Sequence, residues 1–243
     1  MSKSISPSEK SRTKNLLEEL QSSFIRRFSR TPLSQEPIVY EFTNDRALLH
    51  QYYRLREIMY RKVFKTELKF VGEEDLHDKI SHTLIARRGK LCIGGCRLTI
   101  REGDENFLLP METPNFKLRD AFPNLPLTKL RHGEISRFAV LDEDDDKFDV
   151  MYTLYQLIAE KSKDAEVGAV FYKAPLPMSR NWRKIGHSCG LEKIRICTEI
   201  KVPELSLLPE VTWYVTEVIL PTAEAILNKE NILLTQPIDS LVH

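Results

Sequence analysis

A carboxylate, a hydroxyl and a guanidinium crowd into His132-Gly133-Glu134-Ile135-Ser136-Arg137-Phe138-Ala139-Val140. The stretch predicts a strand. Alternation puts Glu134, Ser136, Phe138 and Val140 on one face, and Ile135, Arg137 and Ala139 on the other. Charges on an interior strand are costly unless they are paired or used. One reading is a structural Glu–Arg pair or an edge strand. The other is a reaction centre at a strand end, with acid–base and hydrogen-bonding groups side by side.

Further charged residues sit in otherwise apolar patterns. On a helix predicted from about Asp45 to about Lys65, with Asn44 as its N-cap, Tyr53, Arg56, Tyr60 and Phe64 line one stripe. Arg56 is either a surface arginine snorkelling past two tyrosines or an anchor for an anion. Glu73-Glu74-Asp75-Leu76-His77-Asp78 reads as a solvated turn. It lacks the fuller, glycine-containing pattern of a Mg²⁺ or Ca²⁺ loop, so no metal is assigned. Asp75 and Asp78 would alternatively face a cationic amine. In the strand Lys90 to Ile100, Leu91, Ile93, Gly95, Arg97 and Thr99 share a face by alternation. Gly94-Gly95 predicts a bulge or the close approach of a ligand. Cys92 and Cys96 fall on one face of that strand, at a spacing that is not a zinc-ribbon spacing, and all four cysteines read as reduced thiols.

The elements that would position these residues follow in order. Residues 8–30 carry an apolar stripe of Leu16, Leu17, Leu20, Phe24 and Phe28, which predicts a helical arm over segment 1–36. The main domain spans 37–243. It opens with a strand at Ile38 to Thr43 and the helix that carries Arg56. Ile80 to Arg87 and Lys90 to Ile100 form a hairpin through Arg88-Gly89. The long connection Glu102 to Arg131, anchored by Phe107, Leu108, Leu109, Phe116 and Phe122, predicts a lid or pocket wall. After the Glu134 strand come a helix from about Phe148 to Ala165, a strand at Val167 to Tyr172, and a helix at 177–188. Strands at Glu192 to Lys201 and Val211 to Ile219 and a last helix from Pro221 complete the chain. This order predicts an α/β (α+β) mixed sheet with helices on both faces.

Bulk properties exclude several classes. Of 243 residues, 42% are hydrophobic and 29% charged, which suits one large domain with an appendage. A net charge of +1 without a concentrated basic surface argues against nucleic-acid binding. No apolar run approaches the roughly 20 residues of a membrane helix. The opening Met1-Ser2-Lys3-Ser4-Ile5-Ser6-Pro7 lacks a signal-peptide core, so a soluble, cytoplasmic protein is expected. Membrane contact through the 8–30 helix is the minor alternative to packing on the main domain or a second subunit.

Five blocks in series resemble the autoinducer (acyl-homoserine lactone) synthase and long-chain N-acyl amino acid synthase branch of the GNAT-type acyltransferases. They are Met59-Tyr60-Arg61-Lys62-Val63-Phe64-Lys65 with Leu68 and Phe70; the pair Asp75 and Asp78; Gly94-Gly95-Cys96-Arg97-Leu98; Leu109-Pro110 through Leu118-Arg119-Asp120-Ala121-Phe122-Pro123; and Glu134-Ile135-Ser136-Arg137-Phe138. The resemblance covers about Tyr52 to Ile219. It implies a GNAT-like, mostly antiparallel sheet and transfer of an acyl group from a thioester to an amine. Tyr60 stands where the autoinducer synthases carry arginine, Phe70 where they carry tryptophan, and Gly133 where tryptophan is frequent. The first two positions belong to the family's S-adenosylmethionine pocket. The departures favour an N-acyl amino acid synthase over a lactone synthase using S-adenosylmethionine. A third reading is a GNAT-like binding module without catalysis.

The resemblance also distributes roles. Glu134 would be the general base, directly or through a water, and Ser136 would orient the thioester or support the oxyanion. Arg137 and Arg97 would hold the site, one of them pairing Glu134. Asp75 and Asp78 would meet the substrate ammonium and Arg56 its carboxylate, beside Tyr60, Phe64 and Phe70. The acyl chain would lie among Phe107, Met151, Leu154, Phe171 and Met178. No permanently bound cofactor is implied. The acidic turn Asp142-Glu143-Asp144-Asp145-Asp146 would repel the phosphates of CoA. An acyl carrier protein presenting acyl-phosphopantetheine is therefore the expected donor and partner. It would dock on Arg180, Arg183 and Lys184, with Trp182 as an anchor.

Overall fold

The computed structural model describes residues 36–65, 72–103, 107–141, 146–202 and 211–223. The predicted arm over 8–30, its boundary with the main domain, Phe70 and the acidic positions 142–145 lie outside the described residues.

Among the described residues, seven strands form one sheet in the order β1-β2-β3-β4-β5-β7-β6. They are β1 (Ile38–Phe42), β2 (His82–Arg88), β3 (Leu91–Arg101), β4 (His132–Val140), β5 (Ala169–Ala174), β6 (Lys193–Lys201) and β7 (Tyr214–Ile219). Every neighbouring pair is antiparallel except β4 with β5. Three long helices cover the sheet: α1 (Arg46–Phe64), α2 (Lys147–Asp164) and α3 (Leu176–Ser188). The cap of α1 is Asp45, one residue past the expected Asn44; its carboxylate accepts from the Ala47 and Leu48 amides.

Helix α1 lies on one face and buries Tyr52, Tyr53, Leu55 and Met59 against Ile85, Cys92 and Ala139. The long connection continues that face, where Leu109, Met111, Leu118, Phe122 and Leu127 pack on Phe171 and Val215. It is a fixed wall. Helices α2 and α3 cover the opposite face, where Val150, Leu154 and Ile158 pack on Ile93, Cys96 and Leu98. Tyr155, Trp182 and Ile185 extend this layer over Val170 and Val218. Among the described residues no helix is long and apolar enough to cross a membrane.

Two irregularities decide which side chains share a face. In β3 the register against β2 shifts between the rungs Ala86↔Gly94 and Arg87↔Cys92. A one-residue slip exchanges faces. Leu91 and Ile93 therefore pack under α2, whereas Gly95 and Arg97 face α1. This corrects the alternation over the whole strand, and it parts Cys92 from Cys96, which lie in the cores on opposite faces. The irregularity falls at Ile93, just before the Gly94-Gly95 pair at which a bulge or a close approach is expected, and at Gly95 the close approach is made by the protein: a Cβ there would stand 2.8 Å from the Leu84 carbonyl and 2.9 Å from the Tyr52 ring.

The second irregularity is in β4. Gly95 pairs with Ala139 and Arg97 with Ser136, so β4 holds one residue more than β3. Arg137 takes the left-handed conformation, φ 57°, to accommodate it. Ser136 and Arg137 consequently both face α1, while Ile135, Phe138 and Val140 pack beneath α2. The Tyr52 hydroxyl donates to the Arg137 carbonyl at 2.6 Å and pins the bulge.

Gly95→Ala is expected to lower unfolding stability by about 1–3 kcal/mol, because the added methyl meets a backbone carbonyl that cannot turn aside. Urea denaturation measures it.

Candidate active site

Strands β4 and β5 pair over three rungs: His132↔Ala169, Gly133↔Val170 and Glu134↔Phe171. Beyond Glu134 the strands no longer pair, although β4 runs on to Val140 and β5 to Ala174. Glu134 thus stands at the fork of the one parallel pair, on the face of Phe171 and Met111, and is 1% exposed.

Its environment is unusual for a buried carboxylate. Oε2 accepts the Met111 amide at 2.6 Å. Oε1 is buried with no hydrogen-bond partner. Neither Arg97 nor Arg137 hydrogen-bonds Glu134, so the structural Glu–Arg pair considered from the sequence is not formed. Burial pushes the Glu134 carboxyl up to about 7; Lys173, the Met111 amide, Arg97 and Arg137 oppose the rise without cancelling it.

The arginines belong to a separate network. Arg56, 0% exposed, grips Asp78 with both terminal nitrogens, at 2.8 and 3.1 Å, and donates to the Glu73 carbonyl. Its guanidinium also lies over the rings of Tyr52 and Tyr53, 5.1 and 4.5 Å from their centroids. Arg97 donates to Asp75 at 2.6 Å, Asp78 at 2.9 Å and the Ser136 hydroxyl at 3.0 Å. Arg137 closes the chain on Asp75 at 3.1 Å. Burial disfavours the Asp75 carboxylate, yet Arg97, the Asp78 amide and Arg137 outweigh it and hold the group at about 2.

These contacts revise the roles drawn from the sequence. Arg56 is not a surface arginine, and its fork is occupied by Asp78 instead of lying open to a substrate carboxylate. Asp78 is not in a solvated turn: its oxygens are taken by Arg56, Arg97 and the Asp75 amide. Tyr60 and Phe64 do lie together, their rings 5.7 Å apart, at the edge of the core that holds Phe171. The acyl-chain residues do not gather round one space. Phe107 and Phe171 lie on the α1 face, and Met151 and Leu154 on the opposite one under α2. Met178 is half-buried on α3. Arg180, Arg183 and Lys184 are exposed on α3 as expected, but Trp182 is no free anchor; it packs on Phe138 and Tyr155 at 4.2 and 5.7 Å. Asp146, the described end of the acidic turn, is paired with Arg88.

Three groups escaped the sequence reading. The Met111 amide is a backbone donor with no signature. It is placed by a buried lock: Glu112 accepts from Arg101 at 2.6 Å and from the Leu109 and Leu118 amides, while Arg101 also donates to His132 Nε2. Lys173, half-buried on β5, shares the face of Phe171 two residues on and couples to Glu134. Trp213 precedes β7 and packs on Phe64, 5.5 Å between centroids.

No protein-family model matches the chain, and no curated protein matches it in sequence. Solved structures do match it in shape. FeeM, an N-acyl amino acid synthase from uncultured soil microbes, aligns over 79% of this chain and 95% of its own, with a TM-score of 0.55 and 11% identity. The AHL synthase LasI aligns over 80% and 96%, TM-score 0.51, 15% identity. The fold is GNAT-like. BjaI, a CoA-dependent acyl-homoserine lactone synthase whose structure holds SAM and isopentyl-CoA, shares this GNAT-like architecture over 80% and 89%, TM-score 0.51, 19% identity.

Replacing Asp78 by alanine takes a carboxylate from buried Arg56 and one of the two carboxylates from buried Arg97, so a loss of about 3–5 kcal/mol is expected. Thermal and urea unfolding of Asp78→Ala against the parent protein measure it.

Proposed function

We propose that this chain is an N-acyltransferase that moves a fatty acyl group from a carrier-bound pantetheine thioester to the amino group of an amino acid or related amine. The observation that carries the reading is Glu134: a buried carboxyl with one oxygen unpartnered, set where two strands part. A structural carboxylate would have its oxygens filled, as those of Asp78 are.

The amine reaches the fork as an ammonium and loses one proton to Glu134 Oε1. Its lone pair attacks the thioester carbon, and the carbonyl oxygen takes up negative charge. Backbone N–H groups of β4 and β5 past the last rung supply donors for that oxyanion, and the positive charge of Arg97 and Arg137 favours it. Collapse breaks the C–S bond. One of the two protons left on nitrogen passes to the departing thiolate as the amide forms, the other stays as the amide N–H, and the proton on Glu134 passes to solvent. A carboxyl near 7 is matched to this duty, being able both to take and to release a proton at neutral pH.

Arg97, Arg137, Asp75 and Asp78 are then positioning residues. They fix Ser136 and the bulge beside the base instead of touching the ammonium. Departures at Tyr60 and Phe70 from the autoinducer-synthase pattern support a linear N-acyl amino acid as product. A lactone from an expressing culture, seen by mass spectrometry, would move the reading to autoinducer synthesis.

Glu134→Gln is expected to lower kcat/KM by roughly 10²–10⁴, the worth of a positioned base. In the unaltered protein kcat/KM should rise with pH through about 7, since the carboxyl must ionise to act. Initial rates across pH test both, and unchanged turnover in the variant would remove Glu134 from the mechanism. On the donor side, thioesters of acyl carrier protein should exceed CoA thioesters of the same chain in kcat/KM by at least about tenfold. The acidic run Asp142 to Asp146 opposes CoA phosphates, and exposed Arg180, Arg183 and Lys184 suit an acidic carrier. Equal use of both donors would overturn this part.

A further inference from the structure

An amino-acid acceptor brings a carboxylate that must be met by donors, and the arginines around the fork are already engaged. Two other donors face the same side of the sheet. Trp213 is 7% exposed, and its Nε1 is buried without a hydrogen-bond partner. A buried N–H left unpaired is destabilising, since it has given up water and gained nothing in return. Indole in place of a plain ring is therefore a liability unless an acceptor arrives. The ring packs on Phe64, whose own neighbour is Tyr60, within the core that contains Met111 and Phe171.

Lys173 is the second donor. It pairs across the ladder with Val215, and Phe171 pairs with Glu217. Side chains of paired residues share a face, so Lys173 points the same way as Phe171 and hence as Glu134. Trp213 stands two residues before Val215, one diagonal step from Lys173. The Lys173 ammonium makes no hydrogen bond to the described residues, and the residue lies past the fork, on the wall opposite Ser136 and Arg137. Phe171 to Lys173 is a rise of roughly 7 Å, a span a lysine side chain covers in reaching back toward the amine position.

We infer that Lys173 and the Trp213 indole N–H together hold the carboxylate of an acidic acceptor, fixing its amino group at Glu134. The acceptor is therefore an amine that carries a carboxylate beside the nitrogen, and its neutral esters and plain amines are discriminated against. The inference rests on the acyltransferase reading for the identity of the acceptor, but not for the existence of the carboxylate site.

The test is isothermal titration of the full chain with N-dodecanoyl-leucine and with its methyl ester, alongside acyl-transfer rates to leucine and to leucine methyl ester. The parent protein should prefer the acid by tenfold or more. Trp213→Phe, which keeps the ring and removes the N–H, and Lys173→Met should each reduce that preference about tenfold, leaving ester affinity within twofold. Lys173→Arg should restore most of it, and the transfer assay should show the loss as a raised KM for leucine. Ester affinity also reports folding, since a collapsed variant would lose both ligands. An acid preference unchanged in Trp213→Phe and Lys173→Met would overturn the inference while leaving the acyltransferase reading intact. Acid-selective binding without acyl transfer to any amine would overturn the acyltransferase reading and uphold the carboxylate site.

Discussion

The site depends on a chain of alternating charges, Arg56–Asp78–Arg97–Asp75–Arg137, threaded through the α1 face of the sheet. Removing these groups from water would be prohibitive singly. In sequence each charge lies against one of opposite sign, and the remaining lone pairs meet backbone amides. The chain ties helix α1, the 75–78 turn, β3 and β4 to one another. Arg97 and Arg137 are the members of the network whose positive charge acts on Glu134 of β4.

The acid buried beside the network is reached by its charge through space and not by a contact. Glu134 feels Arg97 and Arg137 at a distance but bonds to neither. Its proton affinity is therefore a compromise between desolvation and a diffuse field. Tyr52 makes the arrangement possible from beneath. The same side chain holds the Arg137 carbonyl with its hydroxyl, presses its ring on Gly95, and lies under the Arg56 guanidinium. Glycine at 95 is thus a requirement of the tyrosine, and the bulge at 137 is what turns Ser136 and Arg137 to the same side.

Much of the architecture was legible before any coordinates, because hydrophobic period and turn residues are local. The order of strands and helices, the hairpin through Gly89, and Glu134 inside a strand all follow from neighbouring residues. Face assignments failed where register changed. Gly94-Gly95 marks the neighbourhood of the bulge in β3, which falls at Ile93, but nothing in Ser136-Arg137-Phe138 announces the one in β4, since a left-handed arginine has no compositional mark. Lys173 and Trp213 were invisible for another reason. Each matters through residues across the ladder, and only strand pairing makes a lysine on β5 the neighbour of a glutamate on β4. The predicted acyl pocket failed likewise, because helical periodicity finds buried residues without saying which side of the sheet they bury against.

The segment between β3 and β4 is clamped by Glu112, Arg101 and His132, and the amide that steadies Glu134 belongs to the residue just before that clamp. Acidity at the fork is consequently encoded outside the strand that bears the acid. Transplanting a different connector into this scaffold, with every strand residue kept, would shift the proton affinity of Glu134 and reshape the adjoining wall in a single step. Descendants that diverge in this connector would inherit those two traits as a linked pair.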